Sequence, residues 1–263
     1  MKRLGLKYVL LAVLAIAAVA VAGFALVRVP ANIAEATRPA PVVTPTTVET
    51  GDPAVMLGAV KGLLAGADPI TISVLGDSTG NATGEWVDLW AKDLTANATV
   101  TLHQWDDKNN TWIPEPVVYG DAERQITIWN GSMPGSTYAY ALGNFDAIQP
   151  EKPSFVIHNF GHNKAPQRAD AGAMDLLAAV DAKWGPTSAV IVLQNPSRGA
   201  RELTSADSVH VLRGWADRTG HPVVDVDAAF RTAGPIEGLL ADDVHPNAAG
   251  QRIWADTIKA TLG

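Results

Sequence analysis

Ile70 to Leu75 is a short apolar run that stops against Gly76, and Trp86, Leu89, Trp90 and Leu94 then recur at helical spacing. The pair predicts a strand, a tight turn at Gly76-Asp77-Ser78-Thr79-Gly80, and a helix over Gly84–Ala96 with its tryptophans in the core. The same alternation runs down the chain. Ala98–Trp105, Gln125–Trp129, Ser154–Asn159, Ser188–Leu193 and Pro222–Val226 read as strands. Ser136–Leu142, Ala169–Trp184, Thr204–Thr219 and Pro246–Leu262 read as helices, and Pro53–Ala67 has the spacing of a short helix before the first strand. Trp112–Gly120, carrying Pro114 and Pro116, reads as irregular. Strands alternating with helices predict an α/β domain, a parallel sheet covered on both faces.

Upstream the pattern changes. Tyr8 to Val27 is an uncharged apolar run of 20 residues, long enough as a helix to span a hydrocarbon core of roughly 30 Å. Lys2, Arg3 and Lys7 precede it, which favours a cytoplasmic N-terminus and an exported domain. Residues 1–29 therefore read as a signal anchor or transmembrane helix. The rival reading is a signal peptide cleaved after Ala34-Glu35-Ala36, which would give a secreted protein, although the run exceeds the usual apolar region of such peptides. Residues 30–53 contain Pro30, Pro39, Pro41, Pro45 and Pro53 and read as an extended spacer, leaving residues 54–263 as one domain.

Composition narrows the chemistry. The net charge of −7, with three of the cations spent on the extreme N-terminus, disfavours nucleic acid as a partner of the folded part. The absence of cysteine removes thiol nucleophiles, disulfides and thiolate metal sites. No His/Asp/Glu spacing makes a metal site, and no cofactor is called for.

Candidate polar residues follow the apolar strands, the edge of an α/β sheet at which sites form. Ser78 follows the first strand at a nucleophile's address. A serine hydroxyl needs a base, and the base needs an acceptor on its other nitrogen. Asp242-Asp243-Val244-His245 supplies both, since Asp242 can fold back onto His245 across three residues. Alone, the tetrapeptide also reads as an exposed acidic loop with a capping histidine. A tetrahedral oxyanion would need N–H donors. The Ser78 amide, the Gly135 amide and the Asn163 side chain are the candidates, with Gly131 a rival for Gly135. His103, His158, His210 and His221 read as structural, and His162 as a residue of the cleft wall. Trp105, Trp112 and Trp129 flank loops and read either as packing or as a surface for stacking on a sugar.

Four ordered blocks, Gly76-Asp77-Ser78, Asn130-Gly131-Ser132-Met133-Pro134-Gly135, Gly161-His162-Asn163 and Asp242-Asp243-Val244-His245-Pro246, resemble those of the SGNH, or GDSL-type, hydrolases. The resemblance covers Thr71 to the C-terminus. It implies a flavodoxin-like three-layer αβα sandwich, a Ser/His/Asp triad of Ser78, His245 and Asp242, and an oxyanion hole from Ser78, Gly135 and Asn163. Lys164 stands where many members carry an aspartate. The expected activity is an extracytoplasmic serine esterase acting on small-molecule, lipid or glycan acyl esters, acetyl among them, through an acyl-enzyme on Ser78. The alternatives are an acyltransferase to a glycan or lipid alcohol and a catalytically silent glycan-binding module.

Overall fold

The computed structural model describes residues 51–165 and 167–263; the hydrophobic run and nearly all of the spacer lie outside these residues. Helix α1 (Pro53–Ala65) opens the described part, with the Asp52 carboxylate accepting from Ala54 N at 2.8 Å and Pro53 as its first residue. Strand β1 (Ile70–Gly76) follows, then α2 (Trp86–Asp93) and β2 (Thr99–Asp106). Two short strands, β3 (Thr111–Trp112) and β4 (Val117–Tyr119), lead to β5 (Gln125–Asn130), α3 (Tyr138–Gly143) and α4 (Phe145–Ile148). The rest runs β6 (Phe155–Asn159), α5 (Ala169–Trp184), β7 (Ser188–Leu193), α6 (Glu202–Thr219), β8 (Val223–Asp225), α7 (Val226–Ala233) and α8 (Ala248–Leu262).

Strand order is β3-β2-β5-β1-β6-β7-β8, with β4 also on β2. β2, β5, β1, β6, β7 and β8 are mutually parallel, whereas β3 and β4 pair antiparallel to β2. The central sheet is parallel, as expected, with β3 and β4 as short antiparallel additions at one edge. The chain travels outward from β1 to β2, returns through β5, and crosses to β6 on the other side of β1. This reversal of direction places a cleft at the carboxyl end of β1.

Strand side chains alternate between two cores, which makes the three layers. On one face Ile72, Val74, Ile128, Ile157 and Val192 meet α1, α2 and α8; on the other Leu75, Val156, Ile191 and Leu193 meet α3, α5 and α6. Trp86 and Trp254 stack with ring centroids 5.9 Å apart, tying α2 to α8. Trp86, Trp90 and Trp254 are wholly buried, each contributing roughly 4 to 6 kcal/mol of apolar transfer free energy. Gly250 lets α8 approach this layer, because a Cβ there would stand 2.3 Å from the Leu239 carbonyl oxygen. Among the described residues no helix is long and apolar enough to cross a membrane.

Candidate active site

The turn after β1 is built by Asp77. Its buried carboxylate accepts from the Thr79 amide at 3.1 Å and the Thr79 hydroxyl at 2.8 Å, while its own amide donates to Asn159 O at 3.2 Å. An aspartate folding back on the residue two ahead fixes a tight turn, and Ser78 is left half-buried at its apex. The helix expected from Gly84 starts at Trp86, because Asn81 to Glu85 form a loop of their own. Glu85 Oε2 accepts from Ala82 N at 2.8 Å and Asp88 Oδ2 from Gly84 N at 2.8 Å, closing that loop. The first amide of α2 is not offered to the cleft, since Trp86 N donates to Gln251 Oε1 at 2.9 Å.

Ser78 Oγ lies 2.8 Å from His245 Nε2, and His245 Nδ1 lies 2.8 Å from Asp242 Oδ2. The other carboxylate oxygen, Oδ1, accepts from the amides of Val244 and His245, both at 2.8 Å. Burial opposes the charge on Asp242, but these two amides and the His245 ring outweigh it and hold the carboxyl down to about 2. An ionised acceptor on Nδ1 fixes the tautomer whose Nε2 lone pair faces the serine hydroxyl. The His245 loop is held from both ends. Ala241 N donates to His245 O at 2.8 Å, and Asn247 caps α8 by accepting from Ala249 N and Gly250 N.

The second block forms a Pro-Gly turn, with Gly135 at φ +73° and Ser136 N donating to Met133 O at 3.2 Å. Ser136 Oγ donates to Gly76 O at 2.8 Å and Met133 N to the same oxygen at 3.0 Å, so this turn is fastened to the end of β1. The helix expected from Ser136 begins two residues later, at Tyr138, because Gly135 and Ser136 belong to this turn. Gly131 N donates to Val74 O at 2.8 Å, in continuation of the sheet. Among the described residues the amides of Ser78 and Gly135 have no such acceptor. Asn163 Nδ2 donates one hydrogen to Ser136 O at 2.9 Å, which brings it to the same turn and leaves its second hydrogen. Lys164 is exposed beside it. Next to Ser136 and Asn163 opens a pocket of about 450 Å³, walled further by Tyr138, Phe160, Leu203 and Ser208.

The chain matches the GDSL-like Lipase/Acylhydrolase family over residues 74–253, which takes in all four blocks. The chain belongs to that family. Among curated proteins no match is found. Solved structures with a similar fold include the lipase/acylhydrolase from Enterococcus faecalis, 21% identical with a TM-score of 0.53, over 74% of this chain and 97% of that one. A catalytic mutant of Axe2, an acetylxylan esterase from Geobacillus stearothermophilus, is 17% identical with a TM-score of 0.54, over 74% and 94%. A two-domain esterase active on acetylated mannans, co-crystallised with mannopentaose, is 17% identical with a TM-score of 0.59, over 82% of this chain and 55% of that one. At these identities the likeness is one of fold. It agrees with the SGNH-type sandwich that the sequence predicts.

Other residues are placed as follows. His162 is buried, and its Nε2 meets Asn195 Oδ1 at 3.1 Å behind the site, not in the cleft wall. His158 is wholly buried under Tyr138, and His103 stacks on Trp129 at 3.8 Å. Trp112 packs edge to face on both Trp105 and Trp129, with Trp105 Nε1 donating to Tyr140 and Trp112 Nε1 to Ala147 O, so the three serve as packing beside the β2–β3 hairpin. Among the described residues no group of His, Asp and Glu is disposed to hold a metal ion. Sequence reasoning missed Gln194 and Asn195, whose only signal is two amides directly after an apolar strand.

Proposed function

We propose that this member of the family is a serine esterase in which Ser78 is the nucleophile, His245 the base and Asp242 its orienting partner. The observation that carries the reading is the continuous 2.8 Å relay from Ser78 Oγ through the His245 ring to Asp242. Ser78 Oγ attacks the acyl carbon while His245 Nε2 takes its proton, so charge gathers on the former carbonyl oxygen. The amides of Ser78 and Gly135 and the second hydrogen of Asn163 Nδ2 donate to that oxyanion, a contribution of roughly 3 to 4 kcal/mol per donor in comparable sites. Collapse returns the proton to the leaving alcohol and leaves the acyl group on Ser78. Water, deprotonated by the same imidazole, then releases the acid and restores the hydroxyl.

The substrate class in this reading is a carboxylic ester of a small molecule, lipid or glycan, with acetyl esters as the first to test, since two proteins of like fold act on acetylated polysaccharides. The domain works outside the cytoplasm, tethered by residues 1–29 or released by cleavage near Ala36; the apolar run and the basic residues before it support this. A panel of nitrophenyl esters from acetyl to long acyl, run on wild type and Ser78→Ala, tests the reading. Turnover that is lost in Ser78→Ala, with a covalent acyl adduct on Ser78 by mass spectrometry, supports it. Turnover that survives Ser78→Ala ends it.

A further inference from the structure

The loop that follows β7 bonds to the segments that carry Ser78, Asn163 and His245. Gln194 and Asn195 are buried, 2% and 0% exposed. Gln194 Oε1 accepts from His162 N at 2.9 Å, and its Nε2 lies 3.1 Å from Asp77 Oδ2, 3.0 Å from Asn159 Oδ1 and 3.1 Å from Asn159 O. It therefore joins the turn carrying Ser78 to the loop carrying Asn163. Asn195 does the corresponding work on the other side. Its Oδ1 meets His162 Nε2, and its Nδ2 donates to Val244 O at 3.0 Å and to Pro196 O at 2.8 Å. Val244 is the residue before His245.

The direction of these bonds is fixed by burial. Desolvation is the largest influence on His162 and disfavours its cation, so the ring is neutral. Its Nδ1 is buried with no partner among the described residues. Asn195 Oδ1 can only accept, so the Nε2–H must be the donor to it. The Asn195 amide is then locked with both hydrogens on carbonyls, one of them in the His245 loop. Arg198 adds two further ties to the same loop, its amide donating to Asp243 O at 2.8 Å and its Nε to Asp243 Oδ1 at 3.0 Å.

We infer that Asn195, aided by Gln194, is a positioning residue that couples the Asn163 loop to the His245 loop, so that oxyanion donor and base keep one mutual geometry. The inference rests on the esterase reading above. Neither amide touches substrate in it; each acts through the loops that it holds. Reacting groups displaced by about 1 Å can cost on the order of 100-fold in rate, and a buried amide that has lost its partners does not hold a loop.

The test uses the full chain with Asn195→Ala, Asn195→Asp and Ser78→Ala, assayed on a soluble nitrophenyl ester well below each variant's melting midpoint. Asn195→Asp keeps the shape and the acceptor for His162 but turns an oxygen toward two carbonyls. Both Asn195 variants are expected to lose about 10- to 100-fold in kcat with KM within about threefold, and to react more slowly with a fluorophosphonate, which reads attack by Ser78 alone. A loss of packing alone would lower the melting midpoint and leave kcat and the labelling rate in place. Should Asn195→Ala fail to fold, Asn195→Asp and His162→Phe carry the same reading. A folded Asn195 variant with kcat within twofold of wild type overturns the inference, as does a rise in KM alone. If Ser78→Ala kept wild-type turnover, the esterase reading would fall instead.

Discussion

The Gly131 amide donates to the Val74 carbonyl at 2.8 Å, which favours Gly135 of the same block as the proposed oxyanion donor. An amide already donating to a strand carbonyl is not free to donate to an oxyanion, whereas the Gly135 amide has no acceptor among the described residues. At Gly135 a Cβ would meet nothing within 4 Å, but φ is +73°, so a side chain strains the turn by roughly 1 to 2 kcal/mol and swings the amide as it relaxes. Gly135→Ala is expected to lower kcat by about 10- to 1000-fold with little change in KM. Gly131→Ala, whose Cβ would meet Leu75 Cδ2 at 3.3 Å and Ile148 Cβ at 3.4 Å, should cost stability and leave kcat within a few fold. Steady-state kinetics with melting curves for both variants checks this; the opposite ranking would return the donor role to Gly131.

Asp242→Asn separates charge from shape. The asparagine oxygen can keep the bonds to the Val244 and His245 amides, but its NH2 then faces His245 Nδ1 and makes that nitrogen an acceptor. The proton moves to Nε2, which can no longer take one from Ser78. A fall in kcat of about 100- to 10,000-fold is expected, with the fold intact by circular dichroism. The wild-type carboxyl, held down to about 2, stays ionised throughout any practical assay. Loss of activity near pH 5 or 6 must therefore come from another group, and an Asp242→Asn enzyme within tenfold of wild type would remove Asp242 from the mechanism.

His158 predicts how the domain fails in acid. Burial, with a smaller contribution from nearby His221, lowers it from 6.5 to about 3, and neither ring nitrogen has a partner among the described residues. An unfolded chain protonates this residue near pH 6.5 while the folded one does not. The stabilisation is thus complete above about 6.5 and is lost as pH falls toward about 3, a contribution on the order of several kcal/mol. His158→Phe keeps the volume and removes the proton site. Its melting temperature should fall less than that of wild type between pH 7 and 4 by calorimetry, and parallel curves would show that His158 does not carry the effect.

What could be read from the sequence was what is local. Ser78, Asp242 and His245 sit in short blocks whose residue types are dictated by the chemistry, and the apolar periods of β1, β6, β7 and α5 are long enough to declare themselves. β3 and β4 were not legible, because two and three residues beside Pro114 and Pro116 are too short to show a period of two. The last strand reads one residue too far, to Val226, and α7 goes unread, because Asp225 is both the final residue of β8 and the cap of the helix, accepting from Ala228 N at 3.0 Å. Gln194 was invisible for a different reason. Its bond to Asp77 spans 117 positions, and amide networks have no sequence period to betray them.

The proposed N-terminal anchor predicts a clean division of labour. Every residue of the proposed site lies beyond position 70, and the described domain starts with a feature that shortening must respect. Gly51 N donates to Thr219 O at 3.2 Å, and a Cβ on Gly220 would strike the Gly51 carbonyl oxygen, so Gly51 is seated against the end of α6. Asp52 then caps α1. A chain beginning at Val48 keeps both and should be soluble without detergent and as active on nitrophenyl acetate as the full chain. One beginning at Pro53 loses the cap and the Gly51 contact, at a cost of about 1 to 2 kcal/mol in stability. About 20 apolar residues without a charge gain too much in hydrocarbon to remain in water, so the full chain should partition into membranes. Mass spectrometry of the mature protein separates the two fates: an N-terminus at Thr37 means cleavage after Ala36, whereas an intact Tyr8–Val27 means an anchor. Loss of small-ester turnover in the Val48 chain would contradict the division, because it would make the N-terminal segment part of the working site.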